Sequence, residues 1–172
     1  MKISLKTLIL TATILFMGIT ASSQTKGTTP DLKRNAIDLN DPEYANFSFD
    51  DILAKYYGKV IYLDFWASWC GPCKREMPHS QELQETFNNK GVVFVYFSSD
   101  KTAGPWMAAM DKLGLTGEHY RANYNVKMDY ATRFNLRYIP RYVLIDQKGN
   151  VVYENAKRPS DPNVAKDIES LL

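Results

Sequence analysis

The stretch Val60-Ile61-Tyr62-Leu63-Asp64-Phe65-Trp66-Ala67-Ser68-Trp69-Cys70-Gly71-Pro72-Cys73-Lys74 decides how the rest of the chain is read. Its first seven residues are almost continuously apolar or aromatic, the pattern of a central strand buried on both faces. Residues 73–89 then read as a helix, with Cys73, Met77, Leu83 and Phe87 close to one stripe and Gly91 just past the end. Cys70 stands where the strand gives way to the helix, and there unpaired backbone N–H groups and the helix dipole favour a thiolate. Cys73 lies one turn on, close enough for a small-ring disulfide, and Lys74 adds a nearby positive charge.

Working outward, residues 92–97 repeat the buried-strand pattern, so strand, helix and strand form a right-handed parallel unit. Gly104-Pro105 opens a second helix with Trp106, Met110 and Leu113 on one face, closed by Gly114. Residues 115–127 read as irregular with some strand character, and 128–135 as a short helix. Residues 141–146 and 151–154 form two strands around the hairpin chemistry of Gln147-Lys148-Gly149-Asn150. Asp161-Pro162 caps a last helix with Val164, Ile168, Leu171 and Leu172 on one face. The expected class is α/β: a central mixed sheet flanked by helices, parallel at its start and antiparallel at its finish.

Residues 1–6 carry Lys2 and Lys6 and no acid; residues 8–19 are apolar, and Ala21, Ser22 and Ser23 are small. This is the order of a secretory signal, and its core of 12 residues falls short of the roughly 20 needed to span a bilayer. We read 1–23 as a signal peptide, with retention as an anchor the alternative, and place the protein in the periplasm or cell envelope. The segment lacks a cysteine, so it is not a lipoprotein signal. Residues 24–46 read as a polar N-terminal arm with one short strand, and 47–172 as a single domain.

The 172 residues are 45% hydrophobic and 23% charged, which excludes disordered, collagenous and coiled-coil classes. The formal net charge of +2 is too small to argue for nucleic acid. Lys2 and Lys6 are the only charged side chains before Gln24, so residues 24–172 carry 19 basic and 19 acidic side chains and no net charge. The two cysteines admit three readings. A structural disulfide closing so small a loop removes little chain entropy. A metal site would need two more ligands, with only His79 and His119 available outside the carboxylates. A redox dithiol accounts best for an exported chain whose cysteines both sit at a helix start.

Residues 60–74 resemble the active-site segment of thioredoxins, and the chain from about residue 47 onward resembles the exported thiol–disulfide oxidoreductases of the TlpA and ResA type. The resemblance implies a thioredoxin fold with a helix and strand segment inserted at about 102–127, and it matches Pro78 to the kink of the active-site helix. Tyr138-Ile139-Pro140-Arg141 resembles the segment in which a cis-proline faces the dithiol. It implies a cis Ile139–Pro140 bond, with Pro140 keeping metals off the thiols and the Ile139 backbone free to pair with an extended substrate. Trp69, Gly71, Pro72 and Ile139 are the implied substrate contacts.

Two acids are set apart. Asp64 interrupts an apolar strand, where a carboxylate is costly without a task or partner. It matches the buried aspartate of thioredoxins, which assists proton transfer at the second cysteine, and a raised pKa is expected; Tyr96 stands where thioredoxins place a neighbouring lysine. Glu76, one turn after Cys73, is either a solvated helix acid or the match of the ResA-type glutamate that borders the cleft and tunes the thiols. Trp66 reads as packing and Trp69 as a shield of the dithiol; His79 and His119 read as surface or cleft-edge residues, and Lys157-Arg158 as a solvated loop.

The function implied is thiol–disulfide exchange on protein thiols and disulfides. Cys70 attacks, Cys73 resolves, and no cofactor is needed beyond the redox-active disulfide Cys70–Cys73. Gly-Pro between the cysteines is the thioredoxin pair, which points to a reductant served by a membrane thiol-reductase donor. The chain is expected to act as a monomer, with cytochrome c maturation among its possible tasks. Two rivals remain open: a copper-binding or metal-delivery module using the dithiol, and a thiol peroxidase.

Overall fold

The structure, a computed structural model, describes residues 33–172; the segment read as a signal peptide and most of the first half of the segment read as an arm lie outside the described residues. Strands β1 (Arg34–Asp38), β2 (Val60–Trp66), β3 (Val92–Ser98), β4 (Gly117–Arg121), β5 (Arg141–Ile145) and β6 (Val151–Tyr153) form one sheet in the order β1-β4-β3-β2-β5-β6. Its β1-β4, β4-β3 and β3-β2 pairings are parallel, and β2-β5 and β5-β6 antiparallel. Helices α1 (Phe49–Ala54), α2 (Gly71–Thr86), α3 (Ala103–Leu113), α4 (Tyr124–Arg133) and α5 (Val164–Glu169) cover both faces.

Strand β2 is buried at all seven positions and divides the core by residue parity. Successive strand side chains point to opposite faces. Val60, Tyr62 and Trp66 therefore pack with Cys73 and Met77 of α2, Trp106 and Met110 of α3, and Ile168 of α5. Ile61, Leu63 and Phe65 pack with Phe49 and Ile52 of α1 and with Val126 and Tyr130 of α4. The same parity turns Asp64 toward the α2 face. Each fully buried side chain of this kind contributes about 1.5–3 kcal/mol of transfer free energy, so β2 anchors both layers.

Several elements differ in extent from the sequence expectation. Helix α2 begins at Gly71, because Cys70 is its N-cap residue and Pro72 occupies the first turn, where no N–H is needed. Helix α4 begins at Tyr124 instead of 128, since the Asn123 side chain accepts a bond from the Val126 N–H at 2.9 Å and caps the start. The stretch expected as irregular contains β4, which opens on Gly117 at φ 97; a Cβ there would meet Gln84 and the Phe94 carbonyl at 3.0 and 3.2 Å. Strand β1, from the segment read as an arm, is an integral edge of the sheet, and the Arg121 guanidinium grips Asp38 from two nitrogens at 3.0 and 2.6 Å. Leu172 lies past the end of α5 and is half exposed.

His119 corrects the sequence reading most clearly. It was expected at a surface or cleft edge, and it is fully buried. It stands directly across from Tyr96 in the β3-β4 register, and the two rings stack at 4.4 Å. Burial pushes its pKa down to about 4, so the ring is neutral, with Nε2 2.9 Å from the Thr116 carbonyl. His79 is exposed on α2 beside Glu82, in keeping with its expected surface position.

Candidate active site

Cys70 and Cys73 are joined by a disulfide at the N-terminus of α2. The Cys73 N–H donates to Cys70 Sγ at 3.2 Å, so one of the helix's unpaired donors already points at the sulfur that would carry a thiolate. Cys70 is 5% exposed and Cys73 fully buried, which makes Cys70 the sulfur that a partner can reach first.

The loop that delivers Cys70 is fixed from the end of β3. Asp100 is buried, and its carboxylate accepts from the Ser68 N–H at 2.8 Å, the Ser68 hydroxyl at 2.6 Å and the Ser98 hydroxyl at 2.6 Å. Two of these bonds pin residue 68, two positions before the cysteine, and the third holds the carboxylate to Ser98 at the end of β3. Sequence reasoning passed over Asp100; its signal was an acid directly after a buried strand, next to the hydroxyls of Ser98 and Ser99. The Ile139–Pro140 peptide bond is cis and opens β5 beside β2, as the resemblance implied.

Beneath the dithiol helix, one rung of the sheet is polar. Tyr142 of β5, Asp64 of β2, Tyr96 of β3 and His119 of β4 stand in successive register. Both Asp64 oxygens, the Tyr142 hydroxyl and His119 Nδ1 are buried without a hydrogen-bond partner. Burial, followed by the charge of Glu76, drives the Asp64 pKa well above the usual carboxylate range. Tyr96 stands opposite Asp64, where thioredoxins were expected to have a lysine, and its hydroxyl lies 2.6 Å from Ser80 Oγ and accepts from Gln84.

Glu76 is buried against the loop before α5, not solvated. Its carboxylate accepts from the Ser160 N–H at 3.0 Å and the Ser160 hydroxyl at 3.1 Å, and Arg158 Nη1 lies 3.6 Å away. The segment read as a solvated loop is thus tied down at both residues, since Lys157 pairs with Asp167. Trp66 is buried as packing, whereas Trp69 stands 66% exposed beside the cysteines. Gly71 and Pro72 form the first turn of α2 between the two sulfurs. Among the described residues no cluster of three or more His, Cys, Asp or Glu could hold a metal ion, and no helix is long and apolar enough to cross a membrane.

A mixed sheet with a disulfide at the head of its first long helix and a cis-proline on the neighbouring strand defines a thioredoxin-fold redox protein. The Redoxin family model matches residues 49–172, and the chain belongs to that family. It is 31% identical over 99 residues to the thiol-disulfide oxidoreductase ResA of Bacillus cereus, a match covering 55% of this chain and 53% of that protein. It is 30% identical over 122 residues to ResA of Bacillus thuringiensis subsp. konkukian, covering 65% of this chain and 66% of that protein. The chain thus spans about half to two thirds of these relatives. Among solved structures, a protein described as a thiol-disulfide oxidoreductase from Bacteroides vulgatus superposes with a TM-score of 0.61 at 38% identity, over 70% of this chain and 83% of the other. One described as the thiol:disulfide interchange protein DsbE of Chlorobium tepidum superposes with a TM-score of 0.56 at 27% identity, over 69% and 81%.

Proposed function

We propose that the protein is a thiol–disulfide oxidoreductase that reduces disulfides of other proteins in the cell envelope. The observation that carries this is the Cys70–Cys73 disulfide at a helix N-terminus, with Cys70 capping the helix and the more exposed of the two. In the reduced protein, the Cys70 thiolate attacks one sulfur of the partner's disulfide, forming a mixed disulfide and releasing the other partner sulfur as a thiolate. Cys73 then loses its proton and attacks Cys70 Sγ, which restores the Cys70–Cys73 bond and frees the partner's second thiolate. Two electrons pass from the dithiol to the partner, and no cofactor is required.

Asp64, buried and without a partner, takes the Cys73 proton in that second step, and Glu76 tunes the pair by its charge on Asp64. The Ile139 backbone and Pro140 offer an extended substrate its pairing edge, next to Trp69, Gly71 and Pro72. Export is supported by the basic, apolar and small-residue order of residues 1–23, and the reducing direction by the Gly-Pro pair. A membrane thiol-reductase would then return the electrons.

The test is to express Cys73→Ala in cells and recover what remains bound to Cys70 under non-reducing conditions. A mixed disulfide that cannot resolve should accumulate with exported cysteine proteins, and a cytochrome apoprotein among them would assign the task. If nothing is captured and the reduced protein instead binds copper stoichiometrically, the metal-delivery reading takes its place.

A further inference from the structure

Two hollows flank Trp69 and share Trp69, Ser99 and Lys127 as lining. One continues past Lys101 and Pro105 at the start of α3, and the other past Leu136 and Tyr138 to Ile139. Together they make one groove that passes Trp69, the residue before Cys70, and ends at Ile139, the residue before the cis-proline. Its apolar surface is aromatic and unsheltered, with Trp69 at 66% and Tyr138 at 67% exposure. Patches of this kind mark places of contact.

The charge along the groove has one sign. Lys101, Lys127 and Arg137 line it, all exposed and none in an ion pair among the described residues. Arg75 stands outside that lining, with its guanidinium 3.9 Å from where a side chain on Gly71 would begin. The one acid in the lining, Asp100, is buried and committed to Ser68 and Ser98. Residues 24–172 have no net charge, so this basic rim is a local concentration offset elsewhere on the surface. Such a field raises encounter rates with oppositely charged partners and suppresses like-charged ones.

We infer that the groove selects extended, acidic segments: a disulfide-bonded cysteine flanked by Asp or Glu, with an aromatic or aliphatic side chain seated on Tyr138 and Leu136. This specificity rests on the proposed reductase activity. The bonds made and broken are those of the exchange above, and the groove adds docking only.

The experiment uses three peptides of equal length, each with one cysteine disulfide-linked to glutathione and flanked by Asp, Ser or Lys. Reduced protein is mixed with each in single-turnover kinetics. The expected order is Asp faster than Ser faster than Lys, on the order of tenfold between extremes at low salt and shrinking as ionic strength passes about 0.15 M. Lys101→Gln and Lys127→Gln should each lower the Asp-to-Ser ratio and together bring it near one, while Lys148→Gln, in the distant hairpin turn, leaves the ratio as it was. Equal rates, or a salt-independent order, overturn the inference while the reductase reading stands. If no peptide is reduced, the reductase reading falls. Docking is then read from binding of Cys→Ser peptides to the oxidised protein, followed by Trp69 fluorescence, where equal affinities overturn the inference and preference for the Asp peptide supports it.

Discussion

Asp64 and His119 lie on one buried rung, separated by Tyr96, and their ionisation opposes folding from opposite directions. In the unfolded chain Asp64 loses its proton near pH 4, whereas the folded protein keeps it to higher pH. Folded protein then binds the extra proton, so stability falls as pH rises through that window, by up to about 1.4 kcal/mol per pH unit. His119 does the reverse: the unfolded ring gains a proton below about 6.5, and the folded ring only near 4, so stability falls on acidification by about 3 kcal/mol in total. Where the windows overlap the two slopes cancel. Denaturation curves measured from pH 4 to 8 should therefore change little with pH at the acid end. Asp64→Asn should unmask a rise with pH between about 4 and 6.5, and His119→Phe a fall as pH rises from about 4. A flat profile in both variants would show that neither group titrates as its burial requires.

At the scale of elements, the Asp100 staple predicts that the loop before Cys70 is held by β3 as firmly as by β2. Asp100→Ala strands the Ser68 N–H and two hydroxyls, and should cost about 2–4 kcal/mol in chemical denaturation. The folded fraction should also react more slowly with disulfides, and Asp100→Asn, which keeps an acceptor, should recover part of both losses. This staple shows where the sequence stops being legible. Strands β2 and β3, the dithiol helix and the hairpin announce themselves through local patterns: apolar runs, a stripe, turn residues. In β4, Gly117-Glu118-His119-Tyr120-Arg121, the residues that go inside are a histidine, a tyrosine and an arginine, so no hydrophobic alternation marks the strand. Partners for His119, Asp100 and Glu76 lie on other elements, and only the assembled sheet brings Tyr96, Ser68 and Ser160 to them. The cysteines and Asp64 are legible because they share one contiguous segment, whereas the cis Ile139–Pro140 bond follows from the family resemblance and not from its local sequence.

At the scale of the whole molecule, stability should be graded outward from the middle of the sheet. Strands β2 and β3 are paired on both sides and covered on both faces, whereas β6 is a three-residue edge with every residue exposed. Amide exchange should be slowest in β2 and β3, reaching the global unfolding limit, and fastest in β6. Edge strand β1 should fall between them, because Arg121 binds Asp38 and ties it to β4. Exchange in β2 as fast as in β6 would contradict this order.

The parity of β2 carries a consequence for how such a chain can vary. One strand is written in two interleaved texts. Positions 60, 62, 64 and 66 face the dithiol helix, and positions 61, 63 and 65 face the core shared with α1 and α4. Substitutions at the first set alter the surroundings of the chemistry, while those at the second alter the platform beneath it. Single-residue replacement can thus tune reactivity and robustness independently. Deleting one residue exchanges the two texts, putting a carboxyl into the apolar, largely aromatic core and losing both properties together.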